Sequence, residues 1–109
     1  MWNEPTPDEL WVIPAMYATE ETPCEDKIIY MHFFIGGCDW YVAEFDGGDS
    51  FFGFAILSND LANAEWGYFS LSELKRLRCL GIEVDRDLHW KVRAAKEVEK
   101  ITLSQGGLH

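Results

Sequence analysis

The sequence predicts an α+β domain: a four- to five-stranded, mainly antiparallel meander sheet, with a capped short helix after the fourth strand and a C-terminal helix. Three observations carry this reading. Apolar segments of strand length recur at 27–35, 40–46, 51–57 and 64–69, and Gly- or Asn/Asp-bearing turns separate them. The stretch SLSELKRLRCLG (70–81) then switches to helical spacing behind an S-x-x-E start. Finally, 109 residues that are 48% hydrophobic and 15% aromatic make one domain with ample material to bury.

Taken in order, residues 1–12 carry Pro5 and Pro7 among polar side chains, and Leu10, Trp11, Val12 and Ile13 precede Pro14. That pattern predicts an extended arm, 1–13, which docks its apolar end. Residues 16–26 are acidic and contain Pro23, as in an exposed loop or a single helical turn. The segment KIIYMHFFI (27–35) is apolar on both faces and belongs inside the sheet. Gly36 and Gly37 turn it antiparallel onto WYVAEFD (40–46). Simple alternation there places Trp40, Val42, Glu44 and Asp46 on one face and Tyr41, Ala43 and Phe45 on the other. Gly47 and Gly48 lead into FFGFAIL (51–57), where Gly53 marks a bulge or a close backbone approach.

The fourth strand, 64–69, runs into the helix. Ser70 and Glu73 have capping-box spacing, Leu71, Leu74 and Leu77 form a narrow apolar stripe, and Gly81 is expected at the left-handed position that closes the helix. IEVDRDLHW (82–90) alternates as a short edge strand, and Ala94, Val98 and Ile101 fit a final helix starting near Arg93. Residues 14–101 are thus read as one domain, followed by a polar tail, 102–109, that is expected to fray.

The distribution of charge narrows the function classes. The net charge is −10. Residues 1–74 carry fourteen acidic side chains and a single base, Lys27, whereas residues 75–109 carry eight bases and five acids. An acidic body repels phosphates, which argues against direct duplex DNA binding and for a partner with a basic surface. No apolar run nears the ~20 residues of a membrane helix, and MWNEPTPDEL has neither the basic nor the apolar region of a secretory signal. Cys24, Cys38 and Cys79 are odd in number and form no C-x-x-C pair. Together these predict a cytoplasmic protein with reduced thiols, no membrane partner and no zinc cluster. Neither Gly-Gly pair has the Lys-Ser/Thr ending of a phosphate loop, G-x-S-x-G is absent, and no cofactor is expected.

Four segments, PAMYATEETPCEDKIIYMHFF, WYVAEFDGGDSFFGFAIL, EWGYFSLSELKRLR and IEVDRDLHW, occur in that order between Pro14 and about Ile101. In this combination the chain resembles the family known as domain of unknown function 2958. The resemblance implies the company of small cytosolic proteins carried by plasmids, phages and other bacterial mobile elements. It implies no activity and no catalytic residues.

Asp85, Asp87 and His89 occupy alternate positions, so an extended backbone would aim all three to one side. Such an oxygen-and-nitrogen set suits Mg²⁺ or Mn²⁺ and, through it, phosphodiester hydrolysis, with Glu44 or Asp46 as a base if the strand ends meet. The plainer reading makes them exposed acids paired with Arg86 and Arg93, and no metal site is assigned. His32, in mid-strand, reads as a satisfied core histidine; a catalytic base there would need a carboxylate such as Glu44 across the hairpin. Trp40, Trp66, Tyr68 and Trp90 read as core and interface aromatics, because base stacking on a sheet goes with basic residues that these strands lack. Lys75, Arg76 and Arg78 suit the C-terminal end of the predicted helix.

The function expected is that of a non-enzymatic acidic binding protein of a mobile element. Its face of Glu20, Glu21, Glu25, Asp26, Glu44, Asp46, Asp49, Asp60 and Glu65 would dock a host protein with a basic, nucleic-acid-binding surface. Its carboxylates would stand in for phosphates and inhibit a defence complex of the restriction or CRISPR type. Two alternatives stay open: a divalent-metal nuclease or hydrolase built on Asp85, Asp87 and His89, and an accessory subunit of conjugation or replication machinery. The latter would assemble through the aromatic sheet face, with homodimerisation as one route.

Overall fold

Alternating apolar runs separated by glycine turns give one five-stranded antiparallel sheet in the computed structural model, which describes residues 1–104. The elements are α1 (Pro7–Trp11), β1 (Ile28–Ile29), β2 (Met31–Ile35), β3 (Cys38–Phe45), β4 (Ser50–Ile56), β5 (Glu65–Ser70), α2 (Leu71–Arg76), β6 (Arg78–Cys79), β7 (Ile82–Glu83), β8 (Asp85–Arg86), β9 (Arg93–Ala94) and α3 (Glu99–Leu103). The sheet order is β5-β4-β3-β2-β8, with every neighbouring pair antiparallel. The α+β class, the meander and the edge strand from the 82–90 stretch therefore stand as read. No helix among the described residues is long and apolar enough to cross a membrane. Cys24, Cys38 and Cys79 are all unpaired.

Both faces of the sheet are covered, which is why 27–35 reads as apolar on both sides. One core joins Met31, Phe33, Val42, Phe45, Phe51 and Phe69 to Ile13 from the N-terminal segment, Leu74 from α2 and Val84. The other joins Ile29, Tyr41, Ala43, Phe54 and Ile56 to Ala95, Val98 and Ile101 from the C-terminal segment. Ile28 and Ile29 pair with Ala94 and Arg93, and this two-residue ladder brings the C-terminal segment to the sheet.

Local chemistry redraws five sequence expectations. Residues 7–11 are helical rather than extended, because Thr6 and Glu9 form a reciprocal capping box and Pro7 starts the helix. At α2, Ser70 Oγ accepts from Glu73 N at 3.1 Å, but the cap is completed by Asp49, whose carboxylate takes Ser72 N and the Ser72 hydroxyl. Helix α2 ends at Arg76, and Gly81 (φ +81°) instead turns the β6–β7 hairpin together with Leu80 (φ +52°). Helix α3 starts at Glu99, later than Arg93, because Arg93 and Ala94 are spent on β9 and residues 95–97 form a 3-10 turn. The predicted tail extends into residues 105–109, which lie outside the described residues, as does His109.

The fifth change has the greatest effect. Between Val42 and Glu44 the β3–β4 register shifts by one residue: Val42 faces Gly53 while Glu44 faces Phe52. Ala43 is the extra residue of a β-bulge. Val42 and Phe45 therefore share one core, Tyr41 and Ala43 line the other, and the simple alternation expected for 40–46 breaks at this point. Gly53 fits because a Cβ there would stand 1.8 Å from the Tyr41 carbonyl oxygen.

Candidate functional site

The bulge turns Glu44 to the face of Tyr41 and Ala43, where it is 3% exposed and meets the 17–19 loop. Its carboxylate accepts Tyr17 N at 2.9 Å, Thr19 N at 3.1 Å and the Thr19 hydroxyl. Burial alone would raise the Glu44 carboxyl, but these hydrogen bonds and the Lys27 charge outweigh it and hold the group below its usual range. Lys27, also buried, donates to the Thr19 carbonyl and hydroxyl. The backbone bends to reach the carboxylate: Tyr17 sits at φ +68°, the left-handed region that L-residues rarely adopt.

Beside this buried knot lies an aromatic patch in which Phe52 and Trp66 are half-buried. Phe52 stacks near Trp66 (6.0 Å between centroids) and tilts against Tyr68 (5.3 Å). Tyr17 and Tyr68 remain 63% and 62% exposed. The Tyr17 side chain, close enough to hydrogen-bond, raises the Tyr68 phenol pKa, and the Glu44 and Glu20 charges add to this. Tyr17, Glu20, Lys27, Glu44, Phe52 and Tyr68 enclose a cavity of about 260 Å³, with the Lys27 ammonium 5.8 Å from the Phe52 ring centre.

The other predicted acids divide into two groups. Asp46 binds the backbone N–H groups of Gly48, Asp49 and Ser50, Asp49 caps α2, Asp60 holds Asn63, and Asp26 pairs with Lys96 at 2.9 Å. Glu20, Glu21, Glu25 and Glu65 are exposed and have no side-chain hydrogen bond or ion pair among the described residues.

A second cluster centres on His32, the histidine expected to be satisfied in the core. Its Nε2 lies 2.7 Å from Asp39 Oδ1, and its ring stacks on Tyr41 at 4.5 Å. The carboxylate across the hairpin is thus Asp39 rather than Glu44, which lies five residues further along β3, roughly 16 Å away at strand rise. Asp39 also receives Lys100 Nζ at 2.9 Å. Burial would raise the Asp39 carboxyl, but hydrogen bonds from His32 and Lys100 and their charges keep it low. Burial and the Asp39 charge push the Tyr41 phenol up.

Asp85, Asp87 and His89 do line one open cleft of about 550 Å³ with His32, Asp39 and Lys100. They do not act together. Asp85 accepts from Asn3 and from Arg86 N, while Asp87 accepts His89 N and stands 3.7 Å from His32 Nδ1. No group of three or more His, Cys, Asp or Glu side chains placed to hold a metal ion occurs among the described residues. The arginines expected beside these acids are committed elsewhere: Arg86 pairs with Glu9 at 3.1 Å, and Arg93 lies over the Trp90 ring at 3.9 Å. Both His32 nitrogens face carboxylates and Nδ1 is buried, so the imidazole fastens strands rather than offering a base to a substrate.

Sequence reasoning missed Asp39, Lys100, Tyr17 and Thr19. Asp39 had a signal: in the hairpin register it faces Phe34, one diagonal step from His32. Lys100, Tyr17 and Thr19 had none, since their contacts span 61, 27 and 25 residues.

Residues 11–100 match the family model described as protein of unknown function (DUF2958). Searches of curated proteins and of solved structures each found no match.

Proposed function

The chain belongs to the DUF2958 family, and on that premise we propose that it is a non-enzymatic binding protein whose acidic side docks a protein with a basic, nucleic-acid-binding surface. One observation carries the reading: the exposed rings of Tyr17 and Tyr68 stand beside a loop whose Glu20, Glu21 and Glu25 have no side-chain hydrogen bond or ion pair among the described residues. Aromatic side chains at a surface give contact area at low entropic cost, and a rim of one charge steers the oppositely charged partner. Carboxylates with internal duties are poor contact groups, so the working face is narrower than the acidic composition implies. It comprises Glu20, Glu21 and Glu25 of the loop that carries Tyr17; Glu65 points to the opposite side of β5 from Trp66 and Tyr68 and falls outside it. On a bacterial mobile element, the fitting partners are restriction or CRISPR complexes, whose nucleic-acid channels are basic.

The test is a tagged pull-down from bacterial lysate at low and high salt, with the wild type and a Glu20→Gln, Glu21→Gln, Glu25→Gln variant. The expected result is a nucleic-acid-binding complex that is captured at low salt, released at high salt and lost with the triple variant. Capture indifferent to both salt and the three substitutions overturns the reading.

A further inference from the structure

We infer that the cavity walled by Tyr17, Phe52 and Tyr68 is a socket for one arginine side chain of the partner, an assignment that rests on the binding reading above. Its volume, about 260 Å³, lies below the roughly 300–1,000 Å³ of a drug-sized site and suits a single long side chain. Three aromatic side chains, Tyr17, Phe52 and Tyr68, line it, and aromatic rings attract cations through their quadrupole, as the Lys27 ammonium 5.8 Å from the Phe52 ring already does. The charges at the cavity favour a cation as well. Lys27 is tied to Thr19 and balanced by Glu44, so the Glu20 carboxylate is left as the surplus charge.

A guanidinium fits this chemistry better than an ammonium. It can lie flat on a phenol ring while its edge donates two parallel hydrogen bonds to a carboxylate. The chain already uses the first half of this mode internally, where Arg93 lies over Trp90 at 3.9 Å. The backbone at Tyr17, bent to reach Glu44, also fixes where this ring stands. A tyrosine held at φ +68° with its ring in solvent is strained, and such strain collects where a side chain must be presented. Thr19 and Glu44 hold that conformation in place before any partner arrives.

The probe is N-acetyl-arginine methylamide, titrated into the full chain and followed by NMR at the Tyr17, Phe52 and Tyr68 rings, with the neutral citrulline counterpart as control. Saturable shifts at these rings are expected at millimolar concentration, with the citrulline compound about tenfold weaker. Tyr68→Ala should abolish the shifts. Glu20→Gln, at an exposed position with no side-chain hydrogen bond or ion pair among the described residues, should weaken them several-fold without touching the fold. Absence of saturable shifts, or equal binding of the citrulline compound, overturns the socket. Salt-sensitive capture of a basic complex that survives Tyr68→Ala, with no probe binding, also overturns the socket while leaving the acidic face intact. Probe binding with no capture sustains the socket and overturns the protein-partner reading.

Discussion

Strand β3 buries a carboxylate near each end, and the two are satisfied in opposite ways. Asp39 (4% exposed) is held by two side chains, the His32 ring and the Lys100 ammonium, at the rim of an open cleft. Glu44 (3% exposed) is held by the backbone of the 17–19 loop and by the Thr19 hydroxyl. Backbone donors cannot titrate and have little freedom to leave; a lysine on a flexible stem can do both. Asp39 is therefore a tunable fastening between strands and the C-terminal segment. Glu44 is a fixed peg that shapes the loop beside the aromatic face.

The strongest way to break this contrast is to remove the bulge that turns Glu44 to the 17–19 loop. Gly53→Ala would drive a methyl group against the Tyr41 carbonyl, whose distance to the added Cβ is 1.8 Å. The expected cost is about 3 kcal/mol or more, read as a large drop in the urea midpoint. Next comes Glu44→Gln, which keeps the shape but loses charge-assisted acceptance and leaves Lys27 buried without its counter-charge. Here about 2–3 kcal/mol is expected from chemical denaturation, with faster hydrogen exchange confined to the 17–19 loop. Asp39→Asn should cost less, about 1–2 kcal/mol, since water in the cleft can take over part of its bonding. Lys100→Met should cost under about 1 kcal/mol. High salt should reproduce part of that loss in the wild type and none of the Glu44→Gln loss.

Acid sharpens the same comparison. Both carboxyls are held below their ordinary values of 4.5 for Glu44 and 3.8 for Asp39. Each contribution is then complete above that ordinary value and disappears as pH falls through the depressed folded value. Glu44→Gln and Asp39→Asn should each flatten the acid limb of the stability profile. Glu44→Gln should leave the slope of stability with pH between pH 6 and 8 unchanged, measured by denaturation across that range.

What the sequence could reveal follows from the range of each interaction. The strands, the α2 start and the edge strand are written in local periodicity, and all are present. The T-P-D-E box at residues 6–9 is equally local, but Pro5 and Pro7 suit an extended arm as well as a helix start. The bulge left one trace, Gly53, but the trace sits on β4 while its effect falls on β3. The candidate cavity was hardest to foresee. Its walls come from the 17–20 loop, β4 and β5, and the fold alone brings Tyr17, Phe52 and Tyr68 together. Glu44 was legible as an acid on a strand; that it points inward to loop amides depends on pairing no local pattern encodes.

The bulge at Ala43 also bears on which changes in chain length this protein can inherit. Losing one residue inside a regular strand turns every later side chain to the opposite face. Ala43 is the exception in β3: without it, Val42, Glu44 and Phe45 would alternate in plain register on the faces they already occupy. A single-codon deletion there would straighten the strand and relieve the crowding at Gly53, whereas the same deletion at Tyr41 would carry Val42 and Ala43 each into the other's core. Among related chains, lengths differing by one residue in this strand should therefore differ at the bulge.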